Sequence, residues 1–572
     1  MMSETERQRI ISNDYADILI DINRDPQISE LFPQGTLHIM NERNAVVYIP
    51  VDQFTGRIIS QFGYAVIPVV YGLTSQESLD ASGVTRLRRI PVFQLFGEEV
   101  LIGIIDTGID YTHPAFRNAD GTTRILALWD QTIESDQYPP SAMYGTEYSR
   151  DDINEALQSS NPLEIVPSVD EIGHGTALAG IAAGSADEAN DFSGVAPKAE
   201  LIVVKLKPAK QNLKDFYFIP ADAIAYQEND LMWGYAYIIG TASRLLNRPV
   251  AVCVGLGSSM GPHDGRGNLP NLISVGAGFP GSVAVISAGN EGGARRHFFS
   301  TISEIEGTVT VELNVGENES GLTMELWGKA PNTYSVDILS PSGEYIPRIA
   351  EGLHVSRVIS FIFDRTVIYV DYEMIETATG DQVIVMRFQT PAAGIWRLQV
   401  YTRGNLEGSF HIWLPMNGFI GSNTYFVQSD NYTTITTPGD AELPITVTAY
   451  NPVAGNNLYQ QASRGYTRTG AIKPDFAAPG VNVQCPSPGN GYTTYTGTGV
   501  AAAHTAGVSA ILLEWAIVRN NYPGVTSVEA KKFFIRGANR SENLIYPNRD
   551  WGYGILDIFN VFDQLRASNQ GL

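Results

Sequence analysis

Thr496-Gly497-Thr498-Gly499-Val500-Ala501-Ala502-Ala503-His504 opens an apolar segment that fits a helix running to about Val518. Three further motifs lie ahead of it in the chain. Asp106-Thr107-Gly108-Ile109-Asp110 ends the run VLIGII (100–105), and Ser287-Ala288-Gly289-Asn290-Glu291-Gly292 continues from VAVIS (283–287). Gly173-His174-Gly175-Thr176-Ala177 leads into the small-residue stretch LAGIAAG (178–184). Together with LIVVKL (201–206) and VAVCVGL (250–256), the strand-like runs are almost continuously apolar, as strands buried on both faces of a parallel sheet are. Helix-compatible stretches such as 221–246 separate them. Strands alternating with helices predict a doubly wound α/β domain, whose working residues gather at the carboxyl ends of the strands.

A carboxylate in such a place, as at Asp106, can orient a histidine and stabilise its charge. Asp-Thr-Gly by itself also fits a turn, and it is the active motif of aspartic proteases. Those enzymes need two carboxylates sharing a proton, and the chain has no second Asp-Thr-Gly or Asp-Ser-Gly. His174 stands between glycines that let the backbone approach closely, and imidazole is suited to base chemistry near neutral pH. Asn290 at a strand end suits a turn, while its amide also suits donation to a developing oxyanion.

Taken together, D-T-G, H-G-T, A-G-N-E-G and G-T-x-x-A-A-x-H-x-A-G resemble the subtilisin-like serine proteases, or subtilases, in order and spacing. The resemblance implies that Asp106 and His174 match the triad acid and base, and that Asn290 matches the oxyanion-hole side chain. It also implies that Gly255-Leu256-Gly257 matches the Ser-Leu-Gly segment lining the substrate cleft, with glycine in place of the usual serine. The chain departs from the family at residue 499, where glycine stands in the place of the nucleophilic serine. Thr498 precedes that place, and at a helix start its side chain is expected to point elsewhere. In subtilisin, removing the nucleophile lowers kcat by about 2 × 10⁶ and leaves roughly 10³–10⁴ over water. Glycine for serine at a helix N-cap weakens a fold by only about a few tenths of a kcal/mol. The substitution therefore removes chemistry and spares structure. Ala503, where most subtilases have proline, calls for local adjustment only.

The pattern changes after about residue 300. TVTVELNV (308–315) alternates polar and apolar residues, and LTMELW, YSVDIL and IWRLQVY follow between turn residues, as in an all-β sandwich or jelly roll. The α/β pattern resumes with ITVTAY (445–450). The expected layout is an N-terminal α+β module over 1–90, which the resemblance implies is a prodomain, a core split between 91–300 and 431–572, and a β jelly roll inserted at 301–430. A chain of 572 residues with 44% hydrophobic and 17% charged residues fits a folded protein of several domains. Its formal net charge of -23 offers no basic stripe to a nucleic acid. Cys253 and Cys485 form no Cys-x-x-Cys pattern and read as small apolar fillers. The charged N-terminus lacks the apolar run of a secretory signal, and AILLEWAIV (510–518) is shorter than the ~20 residues of a membrane helix.

DTGIDYTHPAFRNADGTTRILALWDQT, GLGSSMGPHDG, SRGYTRTGAIKPDFAAPG and YPNRDWGYGILDIFN are similar to the clostridial germination-specific Csp proteases, a branch of the subtilases. That likeness implies a place in the bacterial spore or the sporulating cell. The partners it implies are other Csp-type proteases, the precursor of a cortex-lytic hydrolase, or a small germinant. Family members lacking triad residues are thought to regulate or relay the signal. No cofactor is expected. Many subtilases bind calcium, yet no acidic cluster here has a loop spacing that names ligands, and Asp110, Asp151 and Asp152 suit solvated turns. His113, in Tyr-Thr-His-Pro, is expected to be structural.

Overall fold

The computed structural model describes residues 15–21, 35–39, 44–50, 79, 81–89, 94–140, 142, 144–209, 211–244, 248–303, 307–376, 378–404, 406–453 and 455–569. The chain divides into two compact units, 1–73 and 74–572. In the first, Tyr15–Asp21, Asn44–Pro50 and Thr36–Ile39 form an antiparallel sheet in that order. The helical part expected of this module lies outside the described residues.

The larger unit is built on a nine-stranded sheet. Six strands run parallel in the spatial order Ile445–Asn451, Ser282–Ser287, Val250–Val254, Leu101–Asp106, Glu200–Lys205 and Ile125–Asp130, and a seventh, Phe476–Pro479, pairs parallel with Ile445–Asn451. Thr146–Ser149 is added antiparallel at one end, and Asn457–Leu458 at the other. Alternate side chains of these strands enter opposite layers. Ala251 and Cys253, with Val283 and Val285, pack toward the helices His174–Ala183 and Thr498–Leu513. Val252 and Val254, with Ala284 and Ile286, pack toward Tyr235, Ile238 and Ile273 of the helices Glu228–Arg244 and Asn268–Ala277. Both faces are therefore dry, which is why the strand sequences show no polar alternation. Of the described part of the 221–246 stretch, 221–227 are not helical and the helix spans Glu228–Arg244.

Residues 79 and 81–89 belong with this unit, so the division falls ahead of residue 90. Val84 and Leu87 are buried in its core, and Arg86 pairs with Asp557 at 2.6 Å. Ser82 Oγ lies 2.8 Å from Nε2 of the fully buried His504, whose pKa burial pushes down to about 3. Thr498–Val518 is long and apolar enough to cross a membrane, but it is 89% buried within the fold. Cys253 and Cys485 are buried and unbridged, and burial raises both thiol pKa values.

Residues 297–426 form two antiparallel sheets packed face to face. One contains His297–Ile302, Gly408–Trp413, Gly321–Gly328, Gln382–Gln389, Val367–Glu373 and His354–Ser360. The other contains Tyr345–Ile349, Thr333–Leu339, Gly394–Arg403, Thr308–Val315 and Tyr425–Phe426. In Thr308–Val315 the inward set is Val311, Leu313 and Val315, so the period-two pattern reports a sheet with one wet face.

The sandwich meets the α/β layers through a buried aromatic and ionic seam. Trp413 stacks on His263, on His297 and on His411, with ring centroids 4.1, 4.8 and 5.1 Å away. Nε2 of His297 and Nδ1 of His411 share one hydrogen bond of 2.9 Å, which requires one of the two nitrogens to be unprotonated. Arg468, whose side chain is also buried, pairs with Asp264 at 3.0 Å and with Asp381 of the sandwich at 2.6 Å.

Burial, and then the neighbouring His263, push the pKa of His297 down to about 3; burial and His297 also lower that of His411. These groups stay neutral when folded but take up protons when unfolded, so their contribution is full above the unfolded value near 6.5. It is lost as pH falls below that value, at about 1.4 kcal/mol per pH unit for each such histidine. Urea unfolding at pH 7 and at pH 5 should show the drop, and His297→Phe should reduce it. Arg468→Ala should destabilise the protein by about 3–5 kcal/mol in the same assay, since it strands the buried Asp264 carboxylate along with the partly exposed one of Asp381.

Candidate active site

Asp106 closes its strand fully buried. Its Oδ1 accepts from the Thr107 N–H at 2.8 Å and lies 2.7 Å from His174 Nδ1. Among the described residues, Oδ2 has no hydrogen-bond partner. His174 is the first residue of the His174–Ala183 helix, and Gly173 before it has φ 81°, a left-handed conformation that favours glycine. Gly175 must also be glycine, because a Cβ there would stand 2.2 Å from the Gly108 carbonyl oxygen. This close approach sets the imidazole over the Asp106 strand end.

Asp170, which sequence reasoning missed, fastens the two loops together. Its Oδ1 accepts from Thr107 Oγ1 at 2.7 Å and the Gly173 N–H at 2.8 Å. Its Oδ2 accepts from the N–H and Oγ1 of Thr176 at 2.8 and 2.7 Å. Thr107 Oγ1 also accepts from the Gly175 N–H at 2.9 Å. The available signal was a carboxylate ahead of a helix start in Asp-x-x-Gly-His-Gly-Thr, where orphan N–H groups need acceptors.

Thr498 begins its helix after Gly497. Its N–H and Oγ1 both donate to Asn290 Oδ1, at 3.1 and 3.2 Å, and Oγ1 accepts from the Gly289 N–H at 3.0 Å. The Thr498 hydroxyl is thereby committed to structure. The same contacts fix the Asn290 amide, with Nδ2 turned to the other side; a Cβ on Gly497 would lie 3.3 Å from it. A Cβ on Gly499 would lie 3.7 Å from His174 Nε2 and 3.3 Å from the Gly255 carbonyl oxygen. A side chain at residue 499 would thus stand beside the imidazole, with the Gly255 carbonyl giving way by a few tenths of an ångström.

The structure brings Asp106, His174, Asn290, Gly255 and Gly499 to one place. A Cβ on Gly255 would stand 3.4 Å from Asp106 Oδ2 and 2.4 Å from Leu178 Cδ1. Leu256 packs against the apolar layer on the other face of the sheet, and Gly257 is pressed against Thr436. His113 caps a short helical turn, with Nδ1 accepting from the Ala115 N–H. Asp152 is part of a capping box with Ser149, and Asp151 lies in the same first helical turn, so neither is in a loop. Ala503 is buried within an uninterrupted helix. Among the described residues, no three His, Cys, Asp or Glu are grouped to hold a metal ion.

Burial works to lower the pKa of His174, but the charge of Asp106, its hydrogen bond and the charge of Asp170 outweigh burial and raise it above 6.5. An acid, an imidazole, an amide donor and a helix start in this order around one cleft define a subtilase site. The Subtilase family model matches residues 97–340 and 380–554, and the chain belongs to that family. Its structure is similar to that of the Clostridium perfringens CspB protease, with TM-score 0.76 and 31% identity over 86% of this chain and 98% of that one. The PII-type proteinase of Lacticaseibacillus paracasei is 24% identical over 537 residues, and the PIII-type proteinase of Lactococcus lactis subsp. cremoris is 24% identical over 549. Each alignment covers 82% of this chain, which spans only about a quarter of the length of these curated relatives.

Asp106→Asn removes the charge that most raises the His174 pKa and leaves burial, the largest influence, which lowers it, against the smaller pull of Asp170. NMR titration of the His174 ring should therefore move from above 6.5 in the wild type to below 6.5 in the variant.

Proposed function

We infer that this chain is a Csp-type subtilase that does not cleave peptide bonds by the covalent route and instead regulates or relays a spore germination signal by binding. Gly499 carries the reading. The His174 imidazole faces a backbone position with no oxygen to activate, and the neighbouring Thr498 hydroxyl already serves Asn290 and Gly289. Losing the nucleophile lowers kcat by about 2 × 10⁶ in subtilisin, which is beyond what a retained oxyanion hole restores. The likeness to CspB supports the germination context. Active Csp-type proteases, a cortex-lytic hydrolase precursor or a small germinant are the partners this reading names, and the spore is its location.

A second reading, a working endopeptidase that processes such a precursor, draws on the intact Asp106–His174 contact of 2.7 Å and on the placement of Asn290. An active-site fluorophosphonate separates the two. The wild type should remain unlabelled, while Gly499→Ser should be labelled and should recover self-cleavage between about residues 75 and 97. Mass spectrometry of each protein from a foreign host reads both results. A labelled wild type, or one cut in that segment, would overturn the binding reading.

A further inference from the structure

The sandwich carries a cavity of about 310 Å³ whose lining residues take no part in the cleft. At its base Thr301 and Ser409 stand opposite each other in the pairing of His297–Ile302 with Gly408–Trp413. Phe298, Ile302, Phe410 and Ile412 of these strands point into the core of the sandwich, so the two hydroxyls lie on the outer face, which also carries His297 and His411 of the seam. Among the described residues neither hydroxyl makes a side-chain hydrogen bond. Two groups of opposite charge line the same cavity: Lys329, just past the strand Gly321–Gly328, and Glu407, just before Gly408–Trp413. Both are exposed, and among the described residues neither has an ion pair or a side-chain hydrogen bond. Pro331 and Leu406 add apolar surface. Buried groups hold these walls in place. Asn332, only 4% exposed, donates from Nδ2 to the Leu406 carbonyl at 2.7 Å. The Ser409 carbonyl accepts from Tyr334 Oη and from the Lys329 N–H, each at 2.9 Å. Gly404 lets the returning loop press on Asn332, since a Cβ there would collide with Oδ1. The shape is therefore set ahead of any ligand, which lowers the cost of binding one.

We propose that this cavity binds a free α-amino acid, with its carboxylate on Lys329, its ammonium on Glu407 and an aliphatic side chain against Pro331 and Leu406. The volume is at the small end of the roughly 300–1,000 Å³ of ligand pockets, which suits a molecule of that size. A ligand with one charge pairs with one of the two groups, whereas a zwitterion makes a charge-assisted contact with each. Longer peptides fit less well, because each added residue parts the two terminal charges by up to about 3.5 Å. The hydroxyls of Thr301 and Ser409 can donate to the carboxylate or accept from the ammonium. The site does not rest on the binding reading of the cleft. A wild type labelled by fluorophosphonate would overturn that reading and leave the ligand of this cavity unchanged.

Equilibrium dialysis of radiolabelled L-leucine against the purified full chain tests this. Isoamylamine, which is leucine without its carboxylate, and isocaproate, which is leucine without its ammonium, serve as competitors. L-Leucine should occupy one saturable site, and each competitor should displace it at least about tenfold less effectively than unlabelled L-leucine does. Lys329→Ala and Glu407→Ala should each weaken L-leucine binding by about tenfold or more. Both side chains are exposed, so the circular dichroism of the two variants should match the wild type. Added salt should weaken binding, because both charges are reached by solvent. The proposal is overturned by the absence of saturable L-leucine binding, by an affinity that either substitution leaves unchanged, or by single-charge competitors as effective as L-leucine.

Discussion

The start of the Thr498–Leu513 helix is fixed by Asn290, whose amide oxygen takes both the N–H and the hydroxyl of Thr498. The rest of the cleft follows from that clamp. It turns Asn290 Nδ2 toward the space beside Gly497, and it commits the one hydroxyl adjacent to residue 499. It also sets the backbone so that a side chain at 499 would meet His174 Nε2. The clamp uses no atom of residue 499. For that reason a glycine there alters the chemistry and leaves the architecture in place, although residue 499 is the second residue of the helix and not the N-cap expected from the sequence, which is Gly497.

A second clamp holds the opposite wall. Asp170 gathers donors from Thr107, Gly173 and Thr176, which joins the loop after Asp106 to the start of the His174 helix. Glycine at 175 then permits a contact that any side chain would block. The Asp106–His174 distance is thus the outcome of two backbone segments locked together.

Much of this was legible in the sequence because its signals are local. Near-continuous apolar runs gave the parallel strands, alternation in 308–315 gave the sandwich, and four short motifs located the cleft. Asp170 was hidden because its meaning lies in three partners that only folding assembles; alone it reads as an ordinary acid before a turn. The seam of His263, His297, His411 and Trp413 was hidden for the same reason, since its members come from both sides of the domain junction. The boundary ahead of residue 90 shifted because Val84 and Leu87 are two apolar residues in a short polar helix, too few to signal burial against a distant core. Asp151 and Asp152 were placed in a turn because the capping box Ser149–Asp152 was not recognised as a helix start.

The two buried acids of the cleft differ in a way that bears on use. Both oxygens of Asp170 are supplied with donors, as structural burial of a carboxylate requires. Among the described residues, Asp106 has two partners on Oδ1 and none on Oδ2, in full burial. A buried charge with half its acceptor capacity unmet does little for folding, and replacing a buried ion pair by apolar groups is often neutral or stabilising by about 1–4 kcal/mol. What Asp106 does supply is a fixed tautomer and a raised proton affinity on His174, both properties of a site that handles protons or charge. That asymmetry separates the two acids: Asp106 Oδ1 serves the imidazole, while both oxygens of Asp170 tie the two loops together.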